Sequence, residues 1–321
     1  MPDLVMHHYF GKKVFEKLDE EVREKIDNVN LYDFATAGPD PFFFVKFLKG
    51  KENKKSLEFG NYMHNNKTRD FFIELNKVSN SEPKMFSYLA GFICHYALDV
   101  KAHPYVFHKT GLFKKDDPSS LKYRGLHTKL ERAMDSYIIK EGYKKNPNKF
   151  KISQEVLTLK KLDKSLKNGF DTVYKNVFNT DDGFNHVNSS VIYQRKFYKF
   201  VYDPHGIKQK LFTKLDNGTS GLDLKVLSYY NKSITDIDIF NLGHKEWINP
   251  IDNTVVSTES FFDLFDSALE MAISLIKASY NYIFKKEKID LNNYFLNLSY
   301  LHGLDCEIKN EMKYFNNIFS K

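Results

Sequence analysis

Apolar residues recur along most of this chain at the three-to-four residue spacing of helices that bury one face. Over residues 8–27, Phe10, Val14, Phe15, Leu18, Val22 and Ile26 fall on one such stripe. Residues 28–41 interrupt the pattern and end in Gly38-Pro39-Asp40-Pro41. The stretch PFFFVKFL then predicts a short helix from Pro41, where proline's missing donor is not needed. A helix is predicted over 55–78, with Gly60 as its weak point. The most apolar segment, 83–103, predicts another that ends at His103, because Pro104 disfavours helical geometry in the residue before it. A Gly/Lys/Asp/Pro/Ser-rich loop over 108–120 leads to a helix over 120–143.

In the second half the pattern predicts helices over 153–178, 188–203, 207–215, 222–231, 258–287 and 291–301. Ser257 or Thr258 would cap the long one. Asp203-Pro204-His205-Gly206 reads as a turn and 232–257 as a long loop. No run alternates with period two for long. The expected fold is all-α, with little or no sheet, in a single helical domain over 1–321.

Composition narrows the class. Hydrophobic residues at 42% and charged residues at 28% describe an ordinary globular chain, and the 29 Phe and 20 Tyr offer large area to a core. The net charge of +7 suits anionic partners such as phospholipid head groups or nucleic acid. Two cysteines, Cys94 and Cys306, are too few for a disulfide framework or a thiolate zinc site. The N-terminal residues show no apolar leader and no stretch is long enough to span a bilayer, so a cytoplasmic location is expected.

Candidate chemistry concentrates early. Seven of the 11 histidines (His7, His8, His64, His95, His103, His108, His127) lie in the first 127 residues. His95 and Asp99 are four apart, as are His127 and Glu131, so each pair shares a helix face and can grip one cation. A hydrogen bond or simple ion pair accounts for either pair equally well. The apolar setting of the first pair, GFICHYALD, favours a metal, since a buried carboxylate needs a charged partner. Asp40 in its turn is read either as a helix cap or as a ligand.

In order, the chain offers His7 before Tyr9-Phe10-Gly11, GPDPFFF with Asp40, GNYMH with His64, HYALD with His95 and Asp99, HPY with His103, and HTKLE with His127 and Glu131. This series resembles the bacterial zinc-dependent phospholipase C family. The likeness is to the signal-less branch that shares its domain with glycosylphosphatidylinositol-specific phospholipase D. Fungal single-strand-specific nucleases are similar in metal scheme. The resemblance implies an all-α fold around two or three zinc ions. The first would take Asp40, His64, His95 and Asp99, and the second His103, His127 and Glu131. The third would take His7, with Asp99 bridging to the first.

It also implies hydrolysis of a phosphodiester, phospholipid first, with Asp40 as the residue that accepts the attacking water's proton. Two departures leave reserves. In the secreted relatives the corresponding histidine lies six residues beyond the aspartate, whereas His103 lies four beyond Asp99, so His108 stands as its alternative. His8 stands likewise for His7. Two other functions remain open: a single-strand nuclease-like phosphodiesterase, and a non-catalytic metal- or lipid-binding helical protein. Peripheral membrane contact is expected of a phospholipase, and nucleic acid is the lesser partner. Residues 1–145 would carry the metals and 150–321 would wall the cleft. There His244, Trp247 and Asn249 are the candidates for contact with substrate, although Trp247 fits a core plug as well.

Overall fold

The computed structural model describes residues 3–47, 49–215 and 237–319. Helix α1 (Leu4–Lys17) begins at Asp3, whose carboxylate accepts the Leu4 N–H. A single turn, α2 (Glu20–Arg23), precedes α3 (Val29–Ala35), which lies inside the expected break at 28–41. The side chain of Asn28 caps α3 by accepting the Leu31 N–H. Seven residues are too few for a periodic signal to register. A 3-10 turn, Asp40–Phe44, stands where the short helix from Pro41 is predicted.

The helix predicted over 55–78 is two helices, α4 (Gly50–Asn65) and α5 (Thr68–Ser81). The chain bends at Lys67, with φ +54°. The apolar stripe continues on both sides of the bend, so periodicity alone does not reveal it.

Helix α6 (Phe86–Thr110) runs well past the predicted end at His103 and holds Pro104 in its interior. A proline there removes one hydrogen bond and costs about 3 kcal/mol. Tyr105, Val106, His108, Lys109 and Thr110 beyond it are all buried, and that burial outweighs the cost. Helix α7 (Leu126–Glu141) follows a 3-10 turn, Pro118–Tyr123. The segment 153–178 is broken into α8 (Ile152–Glu155) and α9 (Lys167–Phe178). Next come α10 (Gly183–Val201) and α11 (Ile207–Leu215). The helix predicted over 222–231 and the start of the loop at 232–257 lie outside the described residues.

The described part of that loop contains a hairpin instead of pure coil. Strand β1 (Trp247–Asn249) pairs antiparallel with β2 (Asp252–Ser257), Trp247 opposite Ser257. Helix α12 (Phe261–Ile283) starts later than predicted because Ser260, not Ser257 or Thr258, forms the capping box with Asp263. The helix predicted over 291–301 reduces to a 3-10 turn, Leu291–Asn293. Its apolar residues Phe295 and Tyr300 are buried singly along an irregular path. No helix among the described residues is long and apolar enough to cross a membrane.

Among the described residues the fold is all-α apart from this hairpin. Its buried apolar residues form one cluster that reaches from Leu4 to Tyr300. Helix α6 is its axis, flanked by α1, α3, α7 and α12. At Gly91 a Cβ would stand 2.2 Å from the Tyr32 carbonyl oxygen and 2.8 Å from the Ala35 Cβ, so α3 and α6 meet backbone to backbone. Gly91→Ala forces these helices apart, an overpacking that costs about 1–3 kcal/mol. Thermal unfolding checks it: an unchanged melting temperature contradicts the close approach.

Candidate metal centre

Helix α6 sets His95, Asp99 and His103 at i, i+4 and i+8, on one face and fully buried. The Asp99 oxygens lie 3.0 Å from His95 Nε2, 3.2 Å from His7 Nε2 and 3.5 Å from His103 Nδ1. His7 arrives from α1, its ring stacked on His95 with centroids 4.3 Å apart. Asp99 is thus the shared centre of three imidazoles from two helices.

The turn before Asp40 is fitted to this arrangement. Gly38 has φ +52°, and a Cβ there would stand 2.1 Å from the His95 ring. Only glycine meets both demands. The turn delivers Asp40 Oδ1 to 3.1 Å from His64 Nε2. His64 Nδ1 donates to the Gly60 carbonyl at 2.7 Å, so its proton is on Nδ1 and Nε2 presents a lone pair to the carboxyl. A proton on Asp40 or a cation resolves two lone pairs at that distance.

The remaining group lies where α6 faces α7. His127 Nε2 is 2.8 Å from Glu131 Oε1, and His103 Nε2 is 3.8 Å from the same oxygen. His103 Nδ1 donates to the Tyr300 carbonyl at 2.6 Å, which aims Nε2 at Glu131. His127 has a side chain 27% exposed, whereas those of His7, Asp40, His64, His95, Asp99, His103 and Glu131 are nearly sealed. Access from solvent is therefore at this corner.

Three sets of donor atoms lie within 4.8 Å of one another: His7–His95–Asp99, Asp40–His64–His95 and His103–His127–Glu131. The residue types suit Zn²⁺. Both nitrogens of His7 and His95, both oxygens of Asp99 and His103 Nε2 are buried without a hydrogen bond. So many orphaned lone pairs side by side are costly unless a cation collects them. The residues therefore fit the metal that their types suggest.

Electrostatics agrees. Burial holds His7 down to about 4, with His95 pushing the same way, and burial holds His64 down to about 4 against the opposing pull of Asp99 and the Gly60 carbonyl. Burial also keeps His127 well below its usual value. These imidazoles are neutral at pH 7, the form that binds metal. Burial pushes Asp40 and Glu131 well above the carboxylate range. Burial would raise Asp99 too, but His95 and His7 beside it hold it well below that range.

Supporting groups surround the cluster. The Gly60 and Tyr300 carbonyls orient His64 and His103, and the Tyr300 N–H also donates to the His64 carbonyl at 2.8 Å. Asp135, buried on α7, accepts the Val5 N–H at 3.1 Å and the Met6 N–H at 2.8 Å. It thereby anchors the start of α1, and so His7. Sequence reasoning missed Asp135, although it stands four residues beyond Glu131 on the same face. The two carbonyls leave no trace in a sequence.

The reserve residues point elsewhere. His8 turns to Tyr143 and Asp33, its Nδ1 hydrogen-bonded to the tyrosine hydroxyl at 2.5 Å. His108 Nδ1 bonds to the Tyr314 carbonyl, beyond the cluster. The three substrate candidates have structural partners. Trp247 is buried edge-on against Tyr105, and its Nε1 donates to the Glu259 carbonyl at 3.0 Å. Asn249 is buried and donates to the His302 carbonyl, while His244 is exposed beside Thr258.

A helical scaffold carrying His/carboxylate groups on neighbouring faces defines a class of metal-dependent proteins. A family model described as zinc dependent phospholipase C matches residues 6–180, more than half of the chain, and the protein belongs to that family. No curated protein and no solved structure matches it.

Two outcomes follow from this geometry. Gly38→Ala should cost about 1–3 kcal/mol in backbone strain alone and lower zinc affinity, because the Asp40 turn must retreat from His95. Unaltered zinc content and melting temperature contradict it. Zinc added to metal-free protein near pH 7 should release protons. Burial favours the protonated form of Asp40 and Glu131 in the absence of metal, and a cation needs them ionised. A pH indicator in weak buffer reads the release, and a titration without it counts against this electrostatic account.

Proposed function

We propose that the protein is a zinc-dependent phosphodiesterase that hydrolyses phospholipid in the manner of a phospholipase C. The observation that carries the reading is that each donor set offers three residues, with the His127 corner open to solvent. Three protein ligands and a free position characterise catalytic zinc sites, and four closed ligands structural ones. This favours an enzyme over a protein that keeps metal for stability alone.

The eight residues His7, Asp40, His64, His95, Asp99, His103, His127 and Glu131 would hold two or three ions. Bound zinc acidifies water and neutralises charge that develops on a phosphodiester. Asp40 is the candidate acceptor of the attacking water's proton, and burial raises its proton affinity in the direction a general base requires. His64 orients that carboxyl, while Gly60 and Tyr300 fix the imidazoles. The nearly complete burial of the other ligands keeps bulk water from the interior of the cluster. The rings of His64 and His95 each lie 5.6 Å from the ring of Tyr300. That contact supports a role for the second half of the chain in bordering the site. Both cysteines are free and buried, which is in keeping with a cytoplasmic location.

Asp99 lies against three imidazoles, those of His7, His95 and His103, whereas His7 lies beside Asp99 and His95 at one edge of the cluster. Asp99→Ala should therefore lower hydrolysis of a phosphodiester substrate by at least about 100-fold, and His7→Ala by about tenfold. Asp99→Ala should also lose zinc and melt earlier, since metal affinity is folding energy. Steady-state rates, metal content and melting curves test this. Parent-like activity in Asp99→Ala defeats the assignment, and so does a parent protein that binds zinc but cleaves no phosphodiester.

A further inference from the structure

Helix α11 (Ile207–Leu215) carries none of the metal-site residues, yet its side chains are arranged in an unusual way. Ile207, Leu211 and Leu215 recur at i, i+4 and i+8 on one face and are 69%, 52% and 61% exposed. Large apolar residues are normally exposed singly, and a continuous stripe marks an interaction surface. The helix has no acidic residue and three lysines. At 3.6 residues per turn, Lys210 and Lys214 flank one side of the stripe and Lys208 the other.

The opposite face fixes the helix to the protein. Phe212 packs on Phe200 with centroids 6.1 Å apart. The Lys208 ammonium donates to the Phe200 carbonyl at 2.6 Å, and the Gln209 N–H to the buried Asp203 carboxylate at 2.8 Å. The stripe is therefore held outward. Phe200 also packs on Phe47, Phe47 on Phe197, and Phe197 on Phe44 of the turn that carries Asp40. The helix thus stands on the same aromatic packing that supports the Asp40 turn.

We propose that α11 is a membrane-docking helix that lies flat on an anionic phospholipid bilayer. Its three aliphatic side chains would enter the acyl boundary while Lys210 and Lys214 meet lipid phosphates and carboxylates. An apolar stripe between cations is the pattern of interfacial helices, in which lysine stems snorkel past the apolar layer. The proposal deepens the phospholipid reading and rests on it for the choice of lipid over protein as partner. Docking itself requires no turnover.

The test is co-sedimentation of the intact, zinc-loaded protein with phosphatidylcholine vesicles, with and without about one third phosphatidylserine. The protein should bind the anionic vesicles at least about tenfold better than the neutral ones, and lose that preference in high salt. The variant Ile207→Ser/Leu211→Ser/Leu215→Ser should bind at least about tenfold more weakly. Its melting temperature and its hydrolysis of a water-soluble phosphodiester should be unchanged, because all three side chains are exposed. Lys210→Glu/Lys214→Glu should weaken binding to anionic vesicles alone. Equal vesicle binding by the serine variant and the parent overturns the inference. So does a parent protein that ignores vesicles, including one that self-associates through this stripe instead. A parent protein that docks but cleaves no soluble phosphodiester sustains docking and overturns the enzymatic reading.

Discussion

The structure depends on one carboxylate that has no business in an apolar interior unless it is compensated. Asp99 lies at the centre of α6, wholly buried, with His7, His95 and His103 against its two oxygens. An isolated charge in that setting costs several kcal/mol, and no lysine or arginine lies within ion-pair distance of it among the described residues. Burial holds the His7 imidazole beside it neutral at pH 7. Every neighbouring element is placed to let a cation complete the balance: α1 brings His7, the Gly38 turn brings Asp40, α4 brings His64 and α7 brings His127 and Glu131.

That requirement explains the otherwise odd character of α6. Almost every residue of it is buried, yet it carries three ionisable residues along one face and a proline in its body. Packing on all other sides by α3, α12 and α1 makes it rigid, and rigidity holds ligand tips in register. The close contact at Gly91 and the absence of a Cβ at Gly38 are two expressions of the same demand, since a methyl group at either would displace a ligand-bearing segment. Metal affinity and fold stability are then linked quantities.

Under the two proposals, the cluster and α11 would divide recognition between them. The donor groups are nearly sealed and are most exposed at His127, an opening that under the proposed function would admit a small reacting group rather than an extended surface. The apolar stripe of α11, bordered by lysines, offers breadth without chemistry. A phosphodiester inside a lipid sheet calls for both a local site and a means of resting on the sheet.

The sequence alone determined that residue types suited to a metal are concentrated in the first part of the chain. The i, i+4 spacing of His95/Asp99 and His127/Glu131 is a local property and points to those four residues, whereas His7, Asp40, His64 and His103 are implied only by the resemblance of the ordered motifs to the zinc-dependent phospholipase C family. The sequence also determined the all-α class, through apolar periodicity. Tertiary structure decided what local pattern leaves undetermined. The burial of Tyr105 to Thr110 carried α6 through Pro104 and kept His103, rather than His108, in the cluster. The bend at Lys67, the seven-residue α3 and the Trp247 hairpin arise from contacts distant in sequence. The orienting carbonyls of Gly60 and Tyr300 are backbone atoms, identical in every residue, and only the folded chain selects which of them faces an imidazole.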